Sequence, residues 1–303
     1  MKALDLIFAA RPLLHLPVWS IFLVALYYHH ELSGESFGGQ NLLMLGCLSL
    51  LGAGACYLNQ VYDCDSDRMN NKCHFLQRGL VSERTMMIGF VATSLLALAL
   101  SVTISFLAFF ICVQLLALGY LYSAPPVRLK DRPIGGFMAN AYGIGFIVPF
   151  AVFPKMQADT AGLLGWDNPF YFFCAVGSIY ILTCVSDQYG DAAAGKRTIA
   201  VVTGFRVSHL LALLLMLVAA LCAFQSEYPM LLGLAIIAAA AIVVACRRQA
   251  DAAVRLAAKL PIILLTALAG WFYPIYLIFV VVLILVTRIY YARRFGMQYP
   301  ELA

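Results

Sequence analysis

Nine stretches of this sequence run for about the thickness of a bilayer with almost no charge: 14–30, 41–58, 86–104, 105–122, 135–154, 169–186, 207–224, 229–246 and 261–287. A helix needs roughly 20 apolar residues to cross a hydrocarbon core about 30 Å thick. Inside that core every backbone polar group must be paired within the element, which leaves only helices and closed barrels. Barrel strands alternate apolar with polar residues, whereas these runs are continuous. The expectation is an all-α chain: a polytopic transmembrane helical bundle of about nine spanning helices, forming one integral-membrane domain over residues 1–303. Composition agrees, because 12% of residues are charged and 63% hydrophobic, where soluble domains carry about one quarter charged residues.

The start, MKALDLIFAARPLLHLP, is interrupted by Arg11 and Pro12 and lacks a small-residue cleavage site, so it reads as a short amphipathic lead rather than a signal peptide. The nine cysteines contain no C-x-x-C pair, so they are read as buried small hydrophobes. The five histidines show no i, i+4 pair and are expected at interfaces or in solvent.

Basic residues collect in alternate loops. Loop 59–84 holds Arg68, Lys72, Arg78 and Arg84; loop 123–134 holds Arg128, Lys130 and Arg132. Loop 187–206 holds Lys196, Arg197 and Arg206, and loop 247–259 holds Arg247, Arg248, Arg255 and Lys259. The positive-inside rule puts these loops and the N-terminus in the cytoplasm, with the plasma membrane of a prokaryote as the expected location. Nine spans would put the C-terminus outside, although it carries Arg288, Arg293 and Arg294. A hairpin about Gly270-Trp271-Phe272-Tyr273-Pro274 would add a tenth span, but its first half, taken from residue 260, would be about 11 residues and too short to cross. The net charge of +5 fits loops facing anionic lipid and gives no support to nucleic acid as a partner.

Two acidic clusters close apolar runs on the same expected side. Asn59-x3-Asp63-x3-Asp67 ends the second run and Asp187-x3-Asp191 the sixth. If each segment continues its helix, each i, i+4 pair shares one face, with Asp65 on another. An ionised Asp at hydrocarbon depth costs on the order of 3 kcal/mol, and paired carboxylates repel, so a cation belongs between the clusters. Oxygen-only donors beside basic loops suit Mg²⁺ shared with substrate phosphate, with Lys and Arg gripping phosphate oxygens. An EF-hand is excluded, since Arg68 occupies the sixth loop position, where Gly is needed, and His74 the twelfth, where Glu is needed. A CDP-alcohol phosphotransferase is excluded by the missing Asp-Gly and Ala-Arg steps around Gly190–Arg197.

These residues resemble the UbiA-type intramembrane prenyltransferases. Asn59-x3-Asp63-x3-Asp67 is similar to the family's first motif, Asp187-x3-Asp191 running into Gly195-Lys196-Arg197-Thr198 to its second, and YSAPPVRLKDRP, Tyr122–Pro133, to the loop after the fourth helix. Gln60 replaces the family's usual second Asp, and NNKCHFLQRGLVS replaces its Arg-Thr-x-x-Arg-Pro segment. The resemblance implies a bundle around a central cavity, where Asn59, Asp63, Asp67, Asp187 and Asp191 hold Mg²⁺ and a polyprenyl diphosphate donor. The donor would ionise to an allylic cation, captured by a lipophilic or aromatic acceptor. Lys130 and Tyr122 are expected to act in catalysis with the aspartates. Arg11, Lys72, Arg128, Tyr189, Lys196 and Arg197 are expected around the substrate with Asn59. Arg68 and Arg78 compete with Lys72 for the diphosphate. The other function class is a cation transporter using the aspartates as an ion site, although transporter sites usually lie near the midplane on broken helices.

Overall fold

The computed structural model describes residues 2–33, 37–64, 75–152 and 167–300. All regular structure among them is helical. After α1 (Lys2–Ala9) a 3₁₀ turn, Pro12–His15, leads into α2 (Leu16–Ser33). There follow α3 (Gly39–Tyr62), α4 (Glu83–Ile104) and α5 (Phe106–Ser123). Ser105 alone separates α4 from α5, its extended backbone stopping one helix while its hydroxyl caps the next by accepting from the Ala108 N–H at 3.0 Å. The α6 span (Pro133–Phe150) has Pro133 in its first turn and a π turn at Ala141–Ile147. Within that turn Gly145 allows close packing, since a Cβ there would lie 2.5 Å from the Phe172 carbonyl oxygen. Then come α7 (Asp167–Ser186), the short α8 (Gln188–Ala193), α9 (Ile199–Gln225) and α10 (Pro229–Arg248). The chain closes with α11 (Asp251–Phe272) and α12 (Pro274–Phe295).

Among the described residues ten helices, α2 to α7 and α9 to α12, are long and apolar enough to span a membrane. The chain is an integral membrane protein. The expected ninth stretch, 261–287, is two helices. Tyr273 leaves helical geometry (φ −129°, ψ 85°) and Pro274 starts α12. The first half is long enough because α11 begins at Asp251, carrying Asp251, Arg255 and Lys259 at four-residue steps while Val254, Ala257 and Ala258 are buried. The extra span also removes the conflict at the C-terminus, for Arg294 near the end of α12 pairs with Asp5 of α1 at 2.9 Å. Helix α1 and the end of α12 therefore meet at one end of the bundle.

Helix α3 packs on α4 and α5, while α7 packs on α6, α9 and α11. The candidate site lies between these two groups. Three histidines expected at interfaces or in solvent are buried instead: His15, His29 and His209 are 7%, 7% and 1% exposed. His15 fits because Gly52 has no side chain; a Cβ there would lie 3.2 Å from its Nε2.

Candidate active site

Helices α3 and α7 leave the bundle in the same way. Asp63 follows Tyr62 with φ −102° and ψ 5°, its N–H donating to the Asn59 carbonyl at 2.9 Å. Asp187 follows Ser186 with φ −101° and ψ 3°, its N–H donating to the Thr183 carbonyl at 3.2 Å. Each aspartate therefore caps an exit, four residues after a polar side chain. The expected unbroken face through Asp187 and Asp191 is instead a break followed by α8, in whose first turn the Asp191 N–H bonds the Asp187 carbonyl at 2.9 Å. Asn59, Asp63, Asp187 and Asp191 all line one cavity of about 440 Å³.

Cations enter this cavity from the loop after α5 and the segment after α8. Lys130 Nζ lies 2.6 Å from Asp63 Oδ1 and donates to Asn59 Oδ1 at 3.0 Å; Ser123 Oγ donates to the same amide oxygen at 3.2 Å. Arg128 reaches Asp63 Oδ1 at 3.4 Å, Asp131 Oδ2 at 2.6 Å and the Tyr62 carbonyl at 3.3 Å. Lys196 Nζ lies 3.3 Å from Asp191 Oδ1. Burial lowers the Lys130 pKa, and the attraction of Asp63 only partly offsets it. For Lys196 burial acts the same way, but Asp191 and then Asp63 outweigh it and the pKa rises. Arg128 is likewise raised: burial opposes, but Asp131 and Asp63 prevail.

Two of the cations sit on strained backbone. Arg11 has φ 51° and Arg128 φ 42°, in the left-handed region that non-glycine residues rarely adopt. Such positions cost on the order of 1–3 kcal/mol and persist only where the surroundings enforce them. Arg11 lines the cavity beside Asn59 and Asp63.

Tyr122 lines the cavity too, with Asn140, whose amide also donates to the Gly136 carbonyl at 2.9 Å within its own helix. Tyr189 departs from expectation: it is 90% exposed and faces outward from α8. The Arg197 side chain is exposed as well, and what its backbone supplies is an N–H to the Asp131 carbonyl at 3.1 Å, tying the two basic loops together. Asp67 and Lys72, with Asp65 and Arg68, lie outside the described residues. Of the rivals for the diphosphate, Arg78 stacks over the Phe295 ring at 4.9 Å, beside α12. Gln60 explains itself by what it donates: its amide gives hydrogen bonds to the Ala9 carbonyl at 2.6 Å and the Cys56 carbonyl at 3.0 Å. An ionised Asp has no N–H to give. Sequence reasoning missed Thr183, Ser123 and Tyr180, which share the cavity wall. Thr183 had a signal, standing four residues before Asp187 as Asn59 stands before Asp63.

The donor set fits Mg²⁺. It consists of carboxylate and amide oxygens, and Mg²⁺ typically takes one or two carboxylates and completes its shell with water and phosphate.

Residues 16–260 match the model of the UbiA prenyltransferase family. The chain belongs to that family. It is similar to a probable homogentisate phytyltransferase 2 of Oryza sativa subsp. japonica, 28% identical over 156 residues, 49% of this chain and 41% of that protein. It is also similar to a digeranylgeranylglyceryl phosphate synthase of Korarchaeum cryptofilum, 30% identical over 183 residues, 58% of this chain and 61% of that protein. The chain thus spans less than two thirds of the length of either relative. Its fold is that of a UbiA homologue from Archaeoglobus fulgidus solved with DMAPP and Mg²⁺, with a TM-score of 0.64 at 20% identity, covering 89% of this chain and 99% of the other.

Proposed function

We propose that this protein is a Mg²⁺-dependent prenyltransferase, moving a prenyl group from a polyprenyl diphosphate to a lipophilic acceptor within the membrane. The observation that carries the reading is the pair of matched acidic helix exits lining one cavity with Lys130 and Lys196. Asn59, Asp63, Asp187 and Asp191, with Asp67, would hold the Mg²⁺, which when bound supplies positive charge to the leaving diphosphate. Lys130, Lys196, Arg128 and Arg11 add charge-assisted hydrogen bonds to its oxygens as the C–O bond breaks. The electron pair leaves with the diphosphate and the prenyl carbon becomes an allylic cation. Tyr122 presents an aromatic ring to that cation, and an acceptor nucleophile forms the new bond and loses a proton. Relatives named as an acyl-prenylphloroglucinol prenyltransferase and a digeranylgeranylglyceryl phosphate synthase support this chemistry and leave the acceptor type open. Arg128, Lys130, Lys196, α1 and the end of α12 lie at the site's end of the bundle, which supports an active site on the cytoplasmic face.

The test is turnover. Purified protein in lipid is incubated with Mg²⁺, a series of allylic diphosphates and a panel of acceptors, while diphosphate release and product mass are followed. Expected are Mg²⁺-dependent release, its loss on adding EDTA, and no measurable turnover by Asp63→Ala or Asp187→Ala. Full activity of either variant or in EDTA contradicts the reading. Metal-driven ion flux with no product indicates the transporter instead.

A further inference from the structure

Asp5 of α1 and Arg294 of α12 form an ion pair outside the residues matched by the family model. Asp5 is 1% exposed. Its Oδ1 accepts from the Tyr290 hydroxyl at 2.5 Å and Arg294 Nε at 3.0 Å, and its Oδ2 accepts from Arg294 Nη2 at 2.9 Å. One turn on, the Phe8 ring stacks on Tyr290 with centroids 3.8 Å apart. The far side of α1 is tied to α3: Tyr57 donates to the Leu6 carbonyl at 3.0 Å and Gln60 to the Ala9 carbonyl at 2.6 Å. A helix of 8 residues does not hold its own shape in water, so these ties set where α1 lies.

What α1 delivers is Arg11. The Arg11 N–H bonds the Phe8 carbonyl at 3.0 Å, and the chain turns there in a left-handed conformation, with the side chain on the cavity wall. Gln60 adjoins Asn59, so α1 is registered against the turn of α3 that carries Asn59 and Asp63.

We propose that Asp5, Arg294 and Tyr290 form a positioning lock, by which the C-terminal span α12 fixes α1 and so aims Arg11 at the diphosphate end of the cavity. The proposal rests on the diphosphate reading of that cavity. Arg294 and Asp5 touch no substrate; they act through Arg11, and α12 becomes a working part of the site. A forked Arg–carboxylate pair holds both distance and orientation, and removing Arg294 takes the charged partner from the buried Asp5 carboxylate.

The experiment is a double-mutant cycle on the full-length protein in lipid. Arg294→Met, Arg11→Ala and the double variant are compared with wild type by calorimetric binding of Mg²⁺ with inorganic diphosphate, by donor KM and kcat, and by thermal unfolding. Arg294→Met is expected to weaken diphosphate binding and raise donor KM about tenfold with kcat changed far less, yet to add less than about twofold on the Arg11→Ala background. Binding by Arg294→Met equal to wild type, or effects that add independently, overturns the lock. If Arg294→Met does not fold, Tyr290→Phe, which keeps the ring stack and loses one donor, is read in the same cycle with about a threefold effect expected. Coupled binding without prenyl transfer by wild type overturns the proposed activity and leaves the lock standing; absence of diphosphate binding by wild type overturns both.

Discussion

The two acidic helix exits share a backbone and differ in surroundings. Asp63 and Asp187 have nearly the same φ and ψ, and each bonds back to a polar residue four positions earlier. Yet Asp63 is 7% exposed and held by Lys130 and Arg128, whereas Asp187 is exposed to the cavity mouth. The first half is a packed, charge-compensated wall. In the second half Asp187 is solvent-exposed, and Lys196 pairs with the half-buried Asp191. Matched chemistry thus sits on unequal structural foundations, and substitutions should separate the two.

The largest effect divides the halves by stability rather than activity. Asp63→Ala and Asp187→Ala are both expected to cost at least about 10³-fold in turnover, as when a principal electrostatic stabiliser is lost. Only Asp63→Ala should also destabilise the fold, by about 3 kcal/mol, because Lys130 stays buried without its carboxylate. Thermal unfolding in lipid checks this, and equal melting temperatures for the two variants would erase the distinction.

A smaller contrast concerns the lysines. Lys130→Met should lower kcat/KM about 10²-fold, as for one preorganised donor in a dry site, and Lys196→Met about tenfold, since its charge is nearer solvent and better screened. Reversal of that order, measured by initial rates at saturating acceptor, would place the stronger phosphate grip in the second half. The smallest effect tests the parallel itself. Thr183→Asn, which copies the first half's amide into the second, should leave kcat/KM within about threefold, while Thr183→Val should lower it by about that factor. A collapse of activity in Thr183→Asn would mean that the two exits are alike in backbone only.

Much of this was legible from the sequence, and the limits have physical causes. The spans follow from continuous apolar runs, and the acidic exits from polar residues at fixed spacing where those runs end. The tenth span was hidden because α11 starts with charged residues on one face, so its apolar signal begins late and merges across Tyr273 with that of α12. Exposure hid in the same way: Tyr189 and Arg197 stand beside the acidic motif in sequence, but the break at Asp187 turns α8 and carries Tyr189 outward. The Asp5–Arg294 pair joins residues 289 apart, and no local pattern announces such a contact. Gln60 looked like a lost ligand, and only the carbonyl of Ala9 shows why a donor is required there.

The most direct test of the central claim is calorimetric titration of a non-ionisable prenyl diphosphate analogue, with and without Mg²⁺, into wild type, Asp63→Asn and Asp187→Asn. Tight binding that requires Mg²⁺ and is lost in each variant alone is the result expected of one cation-diphosphate site built from both exits. Mg²⁺-independent binding, or wild-type binding by either variant, would contradict it.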